Sequence, residues 1–239
     1  MPDSPFRWRS VGPYVWWYVR TAPWTFSWLA LLFVTTGIQH SLSTRALRRV
    51  LETESTNIAN LHSDPLHVLL GSLLWVDGYY WFPYLFLFCL FQAPAERWLG
   101  SLRWVVVGLS AHVIATYLSE GLLGAAIHRG MASHRWVDVR DIGVSYFLVA
   151  IIGVLAYRIA RPWRWWYVAA LVAGFGLVMA TDLSFTAIGH FSSLLIGFAW
   201  YPITRGVPTR LVDPTPYIRW GRRRIETRLA RRHRSPRAG

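Results

Sequence analysis

Uninterrupted apolar runs constrain this chain more than any other feature. A helix needs about 20 predominantly apolar residues to cross a bilayer core. Runs that approach this length are Pro23 to Gln39, Tyr79–Gln92, Leu102–Leu118, Ile142–Tyr157, Trp165–Ala180 and Thr186–Tyr201. They predict an all-α membrane protein with six helical spans in one bundle. Leu66–Val76 is apolar too, but at 11 residues it is too short to span, and Asp77-Gly78 stops it. It reads as a re-entrant or interfacial helix in the first outer loop. Pro94 is expected to end the second span, with Glu96 and Arg97 just beyond. Three segments follow: 1–22, a cytoplasmic N-terminal piece; 23–202, the membrane domain; and 203–239, a basic cytoplasmic tail expected to be disordered.

Charge orients the bundle. The chain carries a formal +13, and all 25 basic residues other than histidine are arginines. With the N-terminus inside, the short inner segments before the tail hold Arg7, Arg9, Arg20, Arg97, Arg103, Arg158, Arg161 and Arg164. The longer outer segments hold Arg45, Arg48, Arg49, Arg129, Arg135 and Arg140, beside eight carboxylates. Positive charge near span ends favours the cytoplasmic side, so both termini are expected in the cytoplasm of a multi-pass plasma-membrane protein. The arginine tail suits anionic lipid headgroups, worth about 1 kcal/mol per residue near the surface, and no nucleic acid is expected. The N-terminus lacks a basic region leading straight into an apolar core and cleavage site, so the first run is expected to stay as an anchor. Cys89 is the lone cysteine, which excludes an intrachain disulfide and reads as a packing residue. No metal or cofactor is expected, and the oligomeric state stays open.

Two polar side chains stand out within the apolar runs. Ser145 lies about one turn into the fourth span and His190 about one turn into the sixth. Both spans run from outside to inside, so the two groups sit at similar depth. A hydroxyl beside an imidazole is the smallest nucleophile–base pair. Gly143, Ala150 and Gly153 on one span, and Gly189, Ser193 and Gly197 on the other, are small, and four-residue spacing of small residues lets membrane helices approach closely. Plain structural roles fit some of these groups as well. A serine in a span commonly hydrogen-bonds back to its own helix. His112 reads as an interhelical hydrogen-bonding group, Asp141 as a charge favouring a helix N-terminus, and Glu96 with Arg97 as a hydrogen-bonding corner.

Gly143-Val144-Ser145 in the fourth span, His190 with Ser193 and Gly197 in the sixth, and Glu96-Arg97-Trp98-Leu99-Gly100-Ser101 after the second resemble the rhomboid family of intramembrane serine proteases. The resemblance covers about residues 24–202. It implies a six-span bundle, Ser145 as nucleophile, and His190 as general base and then acid, in a dyad without an aspartate. It also implies oxyanion donation from the backbone N–H of Ser145. The substrates implied are transmembrane segments of other proteins, cut near their outer ends. Gly143, Tyr146 and His67 would border the oxyanion or substrate, and Glu96, Arg97, Gly100, Ser193 and Gly197 would be structural. Two positions depart from the family pattern. Tyr146 stands where the family has a second glycine, and His67 is followed four residues later by Gly71 in place of an asparagine. These departures keep open a second reading, a rhomboid-like pseudoprotease that binds transmembrane clients without cutting them. A solute transporter is a third, but no inverted repeat supports it.

Overall fold

The computed structural model describes residues 11–76, 81–133, 137, 141–216 and 218–220. Asp77-Gly78, the first ten residues and the arginine-rich stretch 221–239 lie outside the described residues. Helices dominate, and among the described residues the sole β pairing is a bridge between Ile159 and Val212.

Helix α1 (Val11–Arg20) meets α2 (Pro23–Ser41) at 96°. Pro23 occupies the first turn of α2, where its missing N–H costs nothing and its fixed φ suits the helix. The loop that follows is folded, because three residues cap three short helices. Ser43 accepts from Ala46 N–H to start α3 (Thr44–Thr53), Asn57 from Asn60 N–H to start α4 (Ile58–Ser63), and Asp64 from His67 N–H to start α5 (Pro65–Gly71). A 3₁₀ turn at Ser72–Leu74 continues α5. This apolar element has two faces: Val68, Leu69 and Ser72 are buried, while Leu66, Leu70 and Leu74 point outward. It is pinned along α2 at two heights. Trp28 Nε1 donates to Leu73 O at 2.7 Å and Gln39 Nε2 to Val76 O at 3.0 Å. Trp28 and Gln39 are separated by about 16 Å of helix, so the loop runs down α2 instead of lying across its end.

Next come α6 (Trp81–Leu87), a π-helical turn (Phe88–Gln92) and α7 (Ala93–Leu99). They form one continuous helical segment, residues 81–99. Pro94 therefore does not end the second run. A proline ring clashes with the carbonyl four residues back in a regular helix, and the wider π turn directly before it removes that register. The helix stops instead at Gly100, whose φ of +82° suits glycine. Helix α8 (Ser101–His128) is 28 residues long. It extends past Leu118, because Ser119 and Glu120 are buried within the fold instead of starting a loop.

Helices α9 (Val144–Val154), α10 (Trp163–Thr181) and α11 (Phe185–Ala199) complete the bundle. The central layer is α8, α9 and α11. Gly108 on α8 leaves the space that the Phe147 ring fills; a Cβ there would overlap it. Trp28, Trp104 and Phe147 pack ring to ring, with centroids 4.8–6.1 Å apart. Between α9 and α11, a Cβ on Gly153 would lie 2.8 Å from Leu194 O, and one on Gly197 would overlap the backbone of Ala150. Small residues thus set the spacing of these two helices. Helix α10 has no buried residue, and an apolar helix of that kind belongs at the lipid-facing edge. By length and composition α8 and α10 can each cross a membrane, and the pair α1–α2 would make a third only if, despite its 96° bend, it is one span; the apolar segments 65–74, 144–158 and 185–199 are shorter.

The first part of the tail is tied to the bundle. Val212 exchanges backbone hydrogen bonds with Arg158 and Ala160, Trp98 Nε1 donates to Thr209 Oγ1, and Trp163 Nε1 to Thr215 Oγ1.

Candidate functional site

Helix α9 explains why one hydroxyl is singled out. Ten of its eleven residues are buried, and Ser145 is the exception. A helix apolar on every face sinks into the interior, and Ser145 is the one residue of α9 that keeps some exposure. The start of α9 is fixed by Gly143, where a Cβ would overlap the His112 ring. Ser145 falls in the first turn, whose N–H groups have no acceptor within the helix.

His190 comes from α11, one turn after a cap in which Ser184 accepts from Ala187 N–H. Its Nε2 lies 2.8 Å from Ser145 Oγ, within hydrogen-bonding distance. Among the described residues no carboxylate is bonded to His190. Rings hold it instead: Tyr146 meets it edge-on at 5.2 Å between centroids, and Phe175 from α10 lies at 6.3 Å.

Tyr146 does not stand between the two. Its side chain is wholly buried and runs under α11, where Gly189 has no Cβ to obstruct it. Ser193 Oγ donates to the Tyr146 carbonyl. The phenol reaches a buried polar cluster with Ser119, Glu120 and Asp141. Asp141, in the turn ahead of α9, accepts from Thr56 Oγ1, and its N–H donates to Ser55 Oγ at 2.7 Å. Burial pushes the Asp141 carboxyl up to about 6, above its ordinary 3.8.

The remaining residues singled out in the sequence lie elsewhere. His67 is half-exposed and faces Glu54 Oε1 at 3.3 Å. Glu96 is buried at the far end of the bundle. Its carboxylate accepts from the N–H groups of Trp24 and Thr25 at the start of α2, and from Ser101 Oγ at 2.7 Å. A carboxylate there satisfies orphan N–H groups and complements the helix dipole. Arg97 lays its guanidinium over the Tyr18 ring at 3.6 Å, and Gly100 turns the corner between them and α8.

His112 has a structural link that the sequence could not assign. Its Nε2–H donates to Leu69 O at 3.0 Å, with Ser72 Oγ at 3.5 Å, which ties α8 to the end of the loop element. A histidine amid a long apolar run was the signal; its partner, some 40 residues away, was not visible. Among the described residues no three His, Cys, Asp or Glu side chains gather as a metal site would need.

The constellation is thus a hydroxyl at a helix N-terminus, an imidazole in hydrogen-bonding contact, and an aromatic backing. It can deprotonate the hydroxyl as it attacks an acyl carbon. A family model described as rhomboid-like protein matches residues 17–210. No curated protein and no solved structure matches the chain.

Proposed function

The chain belongs to the rhomboid-like protein family, and on that premise we propose that it is an intramembrane serine endopeptidase acting on transmembrane segments of other proteins. The observation that carries this reading is the 2.8 Å contact between Ser145 Oγ and His190 Nε2. His190 takes the hydroxyl proton as Oγ bonds to the scissile carbonyl carbon. The oxyanion is met by the backbone N–H of Ser145 in the first turn of α9. The imidazolium then hands its proton to the departing amine, leaving an acyl-serine. Water, deprotonated by the same imidazole, releases the acid and restores the hydroxyl.

In this reading the six spans are α2, the helical segment 81–99, α8, α9, α10 and α11. Both termini are in the cytoplasm of a plasma-membrane protein, and the loop helices α3–α5 lie on the outer side. Antiparallel contacts between α8 and α9 support a site below the outer surface. Phe147 packs at Gly108 and Gly143 at His112, so α9 begins partway along the much longer α8. Cleavage near the outer end of the substrate segment is part of this reading. His67, paired with Glu54, takes no part.

The test is cleavage of a model transmembrane substrate by the full-length protein in lipid vesicles. Product formation that disappears in Ser145→Ala is the expected result. Cleavage that survives in Ser145→Ala overturns the assignment.

A second reading, a client-binding pseudoprotease, is favoured by one observation. Gly71 stands where the family carries an oxyanion-donating asparagine, and without a side chain it offers no such donor; the carboxylate end of Glu54 occupies the space where a Cβ would lie. Loss of one oxyanion donor costs about 2.7–4 kcal/mol of transition-state stabilisation. A folded protein that binds the substrate yet fails to react with a fluorophosphonate at Ser145 would select this reading.

A further inference from the structure

A slot of about 400 Å³ opens between α2 and the loop element that runs down it. Its walls are Trp24, Trp28 and Leu31 on one side and Leu70 and Leu74 on the other, and Phe147 of α9 forms part of its floor. The hydrogen bond from Trp28 Nε1 to Leu73 O braces the two walls, so the slot is held open by structure.

The mouth shows what medium it meets. Leu31 and Leu70 are each more than half exposed. On α2, Leu31 continues into Val34 and Ile38, which are exposed too, at a spacing that keeps them on one helical face. An apolar stripe on a helix of a membrane protein is covered by lipid tails, and the slot is an inlet of that same surface. Water does not settle in a cavity without polar partners. A helix does not fit either, since a single turn, about 10 Å wide and 5.4 Å tall, would already use the whole volume.

We infer that this slot is a binding site for a single hydrocarbon tail of a membrane lipid, lodged between α2 and the loop element. The tail reaches Phe147, two residues after Ser145 on α9, so lipid occupies one side of the helix that carries the hydroxyl on another. The site is independent of any peptidase activity.

Photocrosslinking tests it. The full-length protein is reconstituted in phosphatidylcholine vesicles containing a minor fraction of phosphatidylcholine with a diazirine in its tail, and adducts are mapped by peptide mass spectrometry. The expected result is adducts on Phe147, which is buried, besides those on outward residues such as Phe86 and Leu177. Leu70→Trp and, separately, Leu31→Trp narrow the mouth and should remove the Phe147 adduct while leaving Phe86 and Leu177 labelled. Two results would overturn the inference. One is labelling confined to outward residues in the parent protein. The other is a Phe147 adduct that persists in both Leu70→Trp and Leu31→Trp, which would mean that the tail reaches Phe147 by a route other than the slot.

Discussion

Tyr146 and Gly189 share one volume: the phenol ring of the first lies where a Cβ of the second would stand. The tyrosine that replaces a small residue beside Ser145 is therefore accommodated by a glycine on the facing helix. Gly189→Ala should force the ring to move, and overpacking of this kind costs about 1–3 kcal/mol. Thermal unfolding in detergent measures the loss. In a Tyr146→Gly background the same alanine should cost almost nothing. An equal penalty in both backgrounds would show that the ring is not what the alanine meets.

Ser145→Ala and His190→Ala are expected to abolish fluorophosphonate labelling and cleavage to the same background, and the double variant to be no worse than either. Groups that act as one unit lose nearly all their effect when either is removed, by roughly 10³-fold or more in rate. Since Ser145 is only partly buried and its main tie is the bond to His190, the alanine variant should unfold close to the parent temperature. Rate losses that multiply in the double variant would mean the two groups act separately.

Glu96 makes three hydrogen bonds that join α2 to the turn before α8. Bonds to a charged group contribute about 1.5–3 kcal/mol each when a partner is lost, so Glu96→Ala should be among the most destabilising changes in the chain. Glu96→Gln keeps one carbonyl oxygen and should lose less. Comparing their unfolding midpoints checks the order; if glutamine is as damaging as alanine, charge at the α2 N-terminus carries the effect.

Much of this could be read from the sequence, for local reasons. The apolar runs locate the long helices, because hydropathy is a property of the run itself. Ser145 and His190 were paired by counting turns from span ends, and they meet at 2.8 Å. What escaped was non-local or weakly apolar. The last turns of α8 look like loop because Ser119 and Glu120 are polar, yet they are buried. Pro94 looks like a stop, and the preceding π turn lets the helix pass. The placement of Tyr146 depends on Gly189, 43 residues later, and that of His112 on a carbonyl in the loop. The helices that Ser43, Asn57 and Asp64 cap are six to ten residues long, and a search for membrane-length runs passes over them.

Asp141 links the site to pH. Its carboxyl is buried in the turn ahead of α9 and holds its proton up to about pH 6, against an ordinary value of 3.8. Between these values the folded chain binds more proton than the unfolded chain, so stability falls as pH rises. The contribution is complete below about pH 4, is lost as pH climbs through 6, and changes no further above that. A displacement of about two pH units corresponds to something on the order of 3 kcal/mol. Asp141→Asn has nothing to ionise and keeps an oxygen for Thr56 Oγ1. Its unfolding midpoint should therefore lose the part of the slope between pH 4 and 6 that the parent shows, and above pH 6 it should match or exceed the parent. A parent protein whose stability changes through that window by the same amount as the variant's would mean that folding does not raise the Asp141 carboxyl.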